Sequence, residues 1–526
     1  MTDNTEEKNP LAEWRDKNLN TISDSFCAAK WYNASLHLGH GYTNSCHLPL
    51  PHPIDLEEIK TNPSALHNTP HKKVARKMML EGTRPGECSY CWKVEDIGRN
   101  SIADRVYKSR IYKEEDIASL KNRPWTDDVL LKTVEVSFDR TCNFACSYCN
   151  SGYSTTWGKD IEQNGAYQKF KTSSAGAYYA DGSWAEPFGK YSKDNPYVDA
   201  FLRWWPELSK ELQEVRITGG EPSASHNFWN FLEEVKKFPA PHMMLAVNSN
   251  LGVNDKLIDK LIKTSHEIDV KGFDLYTSNE SFGSHAEYIR DGLIYPTWRK
   301  NLVRVIEEGK INQVIVMMTI NSLCLVSITE FMDDMLELKA KYGWNKPLID
   351  LNILRWPAFM SPLNLPDDIK SKLHKKLFDW FEINKNNDLL AIHEKAQIQR
   401  LIDYIEVVEQ GHVKTEDEKE LHFHDFKSFY EQYDKRRGKN FVETFPELAD
   451  WYNTLEVDYT ISDVSITTGH ITHFENEEYE PDIVRKKKEG KPVWDAAASN
   501  VLADKIKNGT WKKVELKKPD NDKTLI

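Results

Sequence analysis

An α/β chain built on a mostly parallel sheet is the fold class this sequence predicts, and three observations predict it. Six apolar, β-branched runs recur between residues 133 and 354. Helix-like segments lie between most of them. Each run ends in polar or glycine-rich residues, as strands do where they hand over to a crossover.

The runs are "TVEVSF" (133–138), "EVRIT" (214–218), "MMLAVNSN" (243–250), "IDVKGFDLYTS" (268–278), "QVIVMMTI" (313–320) and "PLIDLNIL" (347–354). Between them "NFWNFLEEVKKF", "NDKLIDKLIKT" and "SITEFMDDMLELKAKYG" carry apolar residues at helical spacing. Strands alternating with helices imply right-handed parallel crossovers, which suit a barrel, a partial barrel or an open sheet. One gap interrupts the rhythm: residues 157–195 are rich in Gly, Ser and aromatics. An insertion this long is read as a lid or substrate-contacting segment. The first 120 residues are turn-rich, and after Pro366 the chain reads as charged and helical, with "RKKK" (485–488) as a surface run. The expected domains are therefore 1–120, 121–366 and 367–526. No repeat of about 20–50 residues is visible.

Composition narrows the function classes. Over 526 residues, 40% hydrophobic and 29% charged content is that of a globular protein. A net charge of −12 without a basic face argues against a nucleic-acid partner. The charged start lacks an apolar signal region and no run approaches a membrane span, so the expected location is cytoplasmic.

In a reducing compartment, closely spaced cysteines suggest metal or redox chemistry rather than disulfides. Seven of the eight precede residue 150: Cys27, Cys46, Cys88, Cys91, Cys142, Cys146 and Cys149. Cys324, in an apolar run, is expected in the core. "CNFACSYC" (142–149) follows the first strand with the spacing C-x3-C-x2-C. Polar residues interrupt it, which favours a loop around metal over a helical stripe. Three thiols without a neighbouring fourth suit an iron–sulfur cluster with one open iron better than a closed zinc site.

This motif resembles that of the radical S-adenosylmethionine (SAM) superfamily. The resemblance implies a partial (β/α)6 barrel, with Cys142, Cys146 and Cys149 holding a [4Fe–4S] cluster whose open iron chelates SAM. Reductive cleavage of SAM would then give a 5′-deoxyadenosyl radical that abstracts hydrogen. "RITGGEP" supports the resemblance. Gly219, Gly220, Glu221 and Pro222 stand where the family lines the methionine moiety; glycines allow close approach and a carboxylate balances an ammonium. Both motifs sit at strand C-terminal ends, where α/β barrels build active sites. The resemblance further implies Tyr148 near the adenine, Ser278 and Arg290 as ribose or carboxylate contacts, and Asn321 as a ribose contact. Asn248 and Asn250 fall where many members carry a Thr-Asn-Gly turn; here the sequence is "NSNLG".

The four amino-terminal cysteines, Cys27, Cys46, Cys88 and Cys91, suit a second, auxiliary [4Fe–4S] cluster or a zinc tetrahedron. They resemble the twitch and SPASM modules, in the order of a subgroup whose twitch domain comes first. His37, His40, His47 and His52 stand near enough to replace a ligand, but are expected as surface or turn histidines. The implied function is an oxygen-sensitive radical SAM enzyme served by a flavodoxin- or ferredoxin-type donor. Its substrate is a peptide, protein or small molecule, with a peptide or protein expected first. Two other classes stay open: a non-catalytic electron-transfer or redox-sensing protein, and a zinc-stabilised binding module.

Overall fold

The computed structural model describes residues 9–98, 100–172, 178, 194–406 and 416–460. These fall into two compact units. Of the described residues, the first takes those up to Val136 together with Pro196–Glu214, and the second takes those between 137 and 195 and those from Val215 to Thr460.

In the first unit, β1 (Asn33–His37), β2 (Tyr42–Asn44) and β3 (His52–Pro53) form an antiparallel ladder, with Leu36 opposite Thr43 and Thr43 opposite His52. β4 (Thr133–Ser137) lies beside β1. The apolar core gathers Phe26, Trp31, Met79, Trp92, Val106 and Tyr112, with Cys91 buried in it and Cys27 and Cys88 against it. Helix Pro70–Leu80 begins at a Thr69 cap and buries two of its basic side chains, Lys72 and Arg76, completely.

That polar interior has a pH consequence. His67 sits with Nε2 2.8 Å from the Trp31 carbonyl and Nδ1 3.2 Å from Lys72 Nζ. Burial, and then the neighbouring Lys72 and Arg76, push its pKa well down. His52 is pushed well down by burial and then by His71. Unfolding lets both rings take protons near the ordinary value of 6.5, so the unfolded state binds more protons below that pH. The stability of the first unit is therefore expected to hold above pH ~6.5 and to fall as pH drops below it. Denaturant midpoints followed by the Trp31 region's fluorescence at pH 7.5 and 5.5 would check this; equal midpoints would refute it.

In the second unit, β5 (Ala145–Cys146) is a two-residue bridge, and β6 (Glu214–Thr218), β7 (Ala240–Ser249) and β8 (Val270–Ser278) follow. After β9 (Arg290–Asp291) come β10 (Gln313–Ile320) and β11 (Leu348–Ile353). The order is β11-β10-β8-β7-β6, and the pairs β7/β8, β8/β10 and β10/β11 are parallel. The six expected strands are thus all present. β11 ends the order, so the α/β sheet stays open, as a partial barrel requires.

Side chains along β8 alternate between half-buried and buried, with Phe273, Leu275 and Thr277 on the buried face. Helices His226–Lys237, Asp255–Glu267, Tyr295–Glu308 and Ile328–Tyr342 follow successive strands and bury one apolar stripe each. The first is capped by Ser225 and the second by Asn254, each accepting from an otherwise orphaned N–H. The last stops at Gly343, whose φ of +104° a side chain would strain. From Asp367 to Thr454 the described residues are largely helical. Residues 173–177 and 179–193 of the insertion, and the 485–488 basic run, lie outside the described residues. No described helix is long and apolar enough to cross a membrane.

Candidate functional site: the cysteine loop and the strand ends

The chain leaves β4 and turns immediately. Asp139 Oδ1 accepts from the Thr141 N–H at 2.9 Å, while Oδ2 accepts from Ser225 Oγ (2.5 Å) and Asn227 Nδ2 (3.1 Å). This one carboxylate ties the start of the cysteine loop to the residues that follow the GGEP motif. The backbones meet as well: the Glu221 N–H donates to the Thr141 carbonyl at 2.6 Å.

That approach explains both glycines. A Cβ on Gly219, which has a φ of +121°, would stand 2.7 Å from the Asp139 carbonyl. One on Gly220 would stand 2.3 Å from the Thr141 carbonyl and 2.7 Å from that of Arg140. The paired glycines serve the close approach of the cysteine loop's backbone.

The loop itself is held at each cysteine. The Cys142 N–H donates to Thr155 Oγ1 (3.1 Å), and Thr156 Oγ1 donates to the Cys142 carbonyl (2.7 Å). Trp157 Nε1 donates to the Cys146 carbonyl at 2.9 Å. The Cys149 N–H closes a turn onto that same carbonyl, also at 2.9 Å. Phe144 anchors the middle of the loop, packed where Gly252 and Gly292 leave room for its ring. Burial raises all three thiols, Cys146 to about 11 and Cys149 to about 12, with Cys142 higher still. The nearby Arg290 guanidinium acts in the opposite sense on Cys146. Metal binding at these sulfurs must therefore displace protons.

Glu221 is buried and bonded to its own chain. Its Oε1 accepts from the Ser223 N–H (3.0 Å), Ser223 Oγ and Ser249 Oγ (2.8 Å), and its Oε2 from the Asn250 N–H (2.5 Å). Burial raises its pKa against these bonds. Oε1 is saturated, and Oε2 keeps an acceptor position. Asn250 links β7's end to the loop, with Nδ2 donating to Asn143 Oδ1 at 2.9 Å. Asn143 Nδ2 returns a bond to the Gly252 carbonyl. Pro222 is buried and opens the turn Pro222–Ala224.

The other expected residues divide. Tyr148 and Arg290 come together on a residue that sequence reasoning missed, Glu280, which is fully buried. Ser278, half-buried at the end of β8, stands opposite Met317 in the register. Asn321 bonds within its own turn: Oδ1 accepts from the Leu323 and Cys324 N–H groups at 3.0 Å, and Nδ2 donates to the Thr319 carbonyl. Cys324 is buried, with its thiol 3.2 Å from the Asn321 carbonyl. Asn248 places Nδ2 3.8 Å from the Met317 sulfur, while its Oδ1 is buried without a hydrogen-bond partner. Asn279 Nδ2 and Ser322 Oγ, just past β8 and β10, are also buried without partners. These residues lie at the C-terminal ends of three adjacent parallel strands, β7, β8 and β10.

A second omission lies in the tail, where the sequence showed no constellation. Helix Glu416–Arg437 grips the start of the insertion. Asp425 accepts from the Lys171 and Thr172 N–H groups (2.6 and 2.9 Å), and Gln432 bonds Gln168 in both directions. Phe429 of this helix joins Trp157, Tyr167 and Tyr178 in an aromatic cluster. Tyr178 donates to the Ser147 carbonyl at 2.8 Å, so this cluster backs the cysteine loop directly. The signal was present as "FHDFKSFYEQYDKRR", aromatic-rich for a solvated helix, but its partner sits more than 250 residues earlier.

In the first unit, Cys27, Cys46, Cys88 and Cys91 line one cavity together with Lys30, Arg105, Lys108 and Asp104. Burial raises each of these thiols, Cys91 to about 12. Lys30 is buried and ion-paired with Glu87, whose other oxygen lies 2.6 Å from His71 Nε2. His52 instead pairs with Thr69, 2.8 Å away. His37 is half-buried, and burial lowers its pKa. His47 lies 3.6 Å from Asp104, and His40 is half-buried. Among the described residues, no three His, Cys, Asp or Glu side chains gather at the spacing of donors to a single metal ion.

No family model and no curated protein matches the chain. Solved structures similar to it include native anSMEcpe with bound AdoMet and Cp18Cys peptide, at 12% identity and a TM-score of 0.30, covering 49% of this chain and 62% of that one. A histidine-tagged form of anSMEcpe with bound AdoMet gives 12%, 0.32, 49% and 60%. Streptococcus suis SuiB bound to S-adenosylmethionine gives 14%, 0.30, 57% and 60%. The chain thus spans about three-fifths of the length of the structures it matches.

Proposed function

We propose that the chain is a radical SAM enzyme, with Cys142, Cys146 and Cys149 holding a [4Fe–4S] cluster and the GGEP turn receiving SAM. One observation carries the reading. The three-thiol loop and GGEP interlock backbone to backbone at the ends of adjacent strands, so closely that neither glycine can take a side chain. The residues fit the group: three thiols are on one loop with no fourth beside them, and buried polar atoms of Asn248, Asn279 and Ser322 lack partners at the strand ends.

When bound, the cluster supplies the electron that cleaves SAM and the open iron that chelates it. The chain's own contribution is positional. Glu221 keeps one acceptor position on Oε2 for an ammonium, and Gly219 and Gly220 let the cysteine loop's main chain close against the turn. The Trp157–Tyr178–Phe429 cluster keeps water from the back of the loop.

Within the same proposal, the four amino-terminal cysteines hold an auxiliary [4Fe–4S] cluster. The four thiols line one cavity, where Lys30, Arg105 and Lys108 stand beside them to offset thiolate charge. A low-potential flavodoxin- or ferredoxin-type donor is required, and a peptide or protein is the substrate proposed first.

The test is 5′-deoxyadenosine by mass spectrometry after anaerobic reconstitution with iron, sulfide, SAM and dithionite. The expected result is product from the wild type and at least a hundredfold less, on the order of the background, from the Cys142→Ala, Cys146→Ala, Cys149→Ala variant. A protein that binds zinc and refuses iron would sink the reading.

A further inference from the structure

Cys146 and Arg290 are direct cross-strand partners in the short β5/β9 ladder, so their side chains are neighbours. The guanidinium is held from two sides. Its Nε and Nη2 donate to Glu280 Oε2 at 3.0 and 2.5 Å, and its Nη1 stands 3.9 Å from Cys146 Sγ. Glu280 has no exposure and Arg290 5%. The carboxylate is held in turn: Tyr148 donates its hydroxyl to Oε1 at 3.1 Å, and the Thr319 N–H reaches Oε2 at 3.4 Å. Arg290 also lies over the Tyr148 ring, 5.5 Å from its centroid.

An arginine meant for a substrate carboxylate presents a two-pronged edge to it. Here the Nε/Nη2 edge faces Glu280, and Nη1 faces a cysteine sulfur. The pair is neutral as a whole, and its positive end is the one fixed at the sulfur. In buried surroundings such a dipole is poorly screened.

We propose that Glu280 and Arg290 act on the cluster's cysteine and not on SAM: Glu280 holds the Arg290 guanidinium against Cys146, and this raises the reduction potential of the cluster. The inference rests on the radical SAM reading above. Reduction adds one electron from the low-potential donor and increases the negative charge on the iron and its thiolates. A cation at one sulfur favours that reduced state, as hydrogen bonds and charge near cluster sulfurs generally do. Tyr148, expected beside the adenine, takes part by orienting Glu280.

The test is an anaerobic redox titration of the reconstituted full chain, followed by electron paramagnetic resonance. The relevant signal is the one missing from the triple cysteine variant. Arg290→Met is expected to lower the reduced-to-oxidised ratio at fixed potential about tenfold, which for one electron is ~59 mV. Arg290→Lys, which keeps the charge, should recover most of that loss. SAM affinity, measured on the oxidised protein, should change less than about threefold in either variant, a change under ~0.7 kcal/mol. If Arg290→Met does not fold, Arg290→Gln, which still offers a donor to Glu280, is read in the same way. An unchanged potential with normal cluster content overturns the inference and leaves the radical SAM reading intact, as does a tenfold loss of SAM affinity at an unchanged potential. If the wild type assembles no cluster on the loop, both fall together.

Discussion

Gly220→Ala is expected to abolish iron loading on the cysteine loop, and with it formation of 5′-deoxyadenosine, while leaving the first unit's cysteines competent. The added Cβ would stand 2.3 Å from the Thr141 carbonyl and 2.7 Å from the Arg140 carbonyl. Both obstacles are main chain, so no side-chain rotation relieves them. The cheapest escape is to push residues 140–142 away, which breaks the 2.6 Å bond from the Glu221 N–H and shifts Cys142 from its Thr155 and Thr156 supports. Overpacking of this kind costs about 1–3 kcal/mol, so the chain should still fold. Iron content should fall by about four atoms per chain, the complement of one cubane. The assay is iron per chain beside product by mass spectrometry. A Gly220→Ala protein with full iron and normal product would show that the two motifs do not depend on one another.

The largest stability effect is expected from Lys339→Met. Lys339 and Glu394 have no exposed side-chain surface and form an ion pair, with Nζ 2.8 and 2.9 Å from the two carboxylate oxygens. Nζ also donates to the Trp344 carbonyl at 2.8 Å. Glu394 accepts from the Ile349 and Ala391 N–H groups, each at 2.7 Å, and so pins helix Ile392–Glu406 to β11 at the sheet's edge. Removing the lysine leaves a buried carboxylate without its counter-charge, which costs about 3–5 kcal/mol. Adding Glu394→Leu should recover only part of this, because two buried N–H groups then lose their acceptor at about 1–3 kcal/mol each. Denaturant midpoints of the single and double variants decide the matter. Full recovery in the double variant would show that the main-chain bonds to Glu394 contribute nothing.

Some of this was legible in the residues and some was not. The six strands were readable because their apolar runs answer to a local period and end in local turn residues. Cys324 as a core residue was readable for the same reason. Asn321 carried a double signal: a polar residue at a strand end suits a ligand contact, and its amide also caps the turn of "NSLC". Its acceptor role for the N–H groups two and three residues ahead is a local pattern that the sequence does contain. Glu280 gave no such signal. Its partners Tyr148, Arg290 and Thr319 lie 132, 10 and 39 residues away, and a Glu two residues past a strand looks like any solvated turn residue.

The sequence by itself determined the periodicities, the spacing of the cysteines and the placing of two motifs at strand ends, because each depends on residues within one element. Only the tertiary structure decided which side chains meet. It set Arg290 against Cys146, buried Lys339 against Glu394, and laid the aromatic face of helix Glu416–Arg437 on the insertion. A buried charge is tolerable only beside its partner, and that partner can come from any part of the chain that the fold brings near.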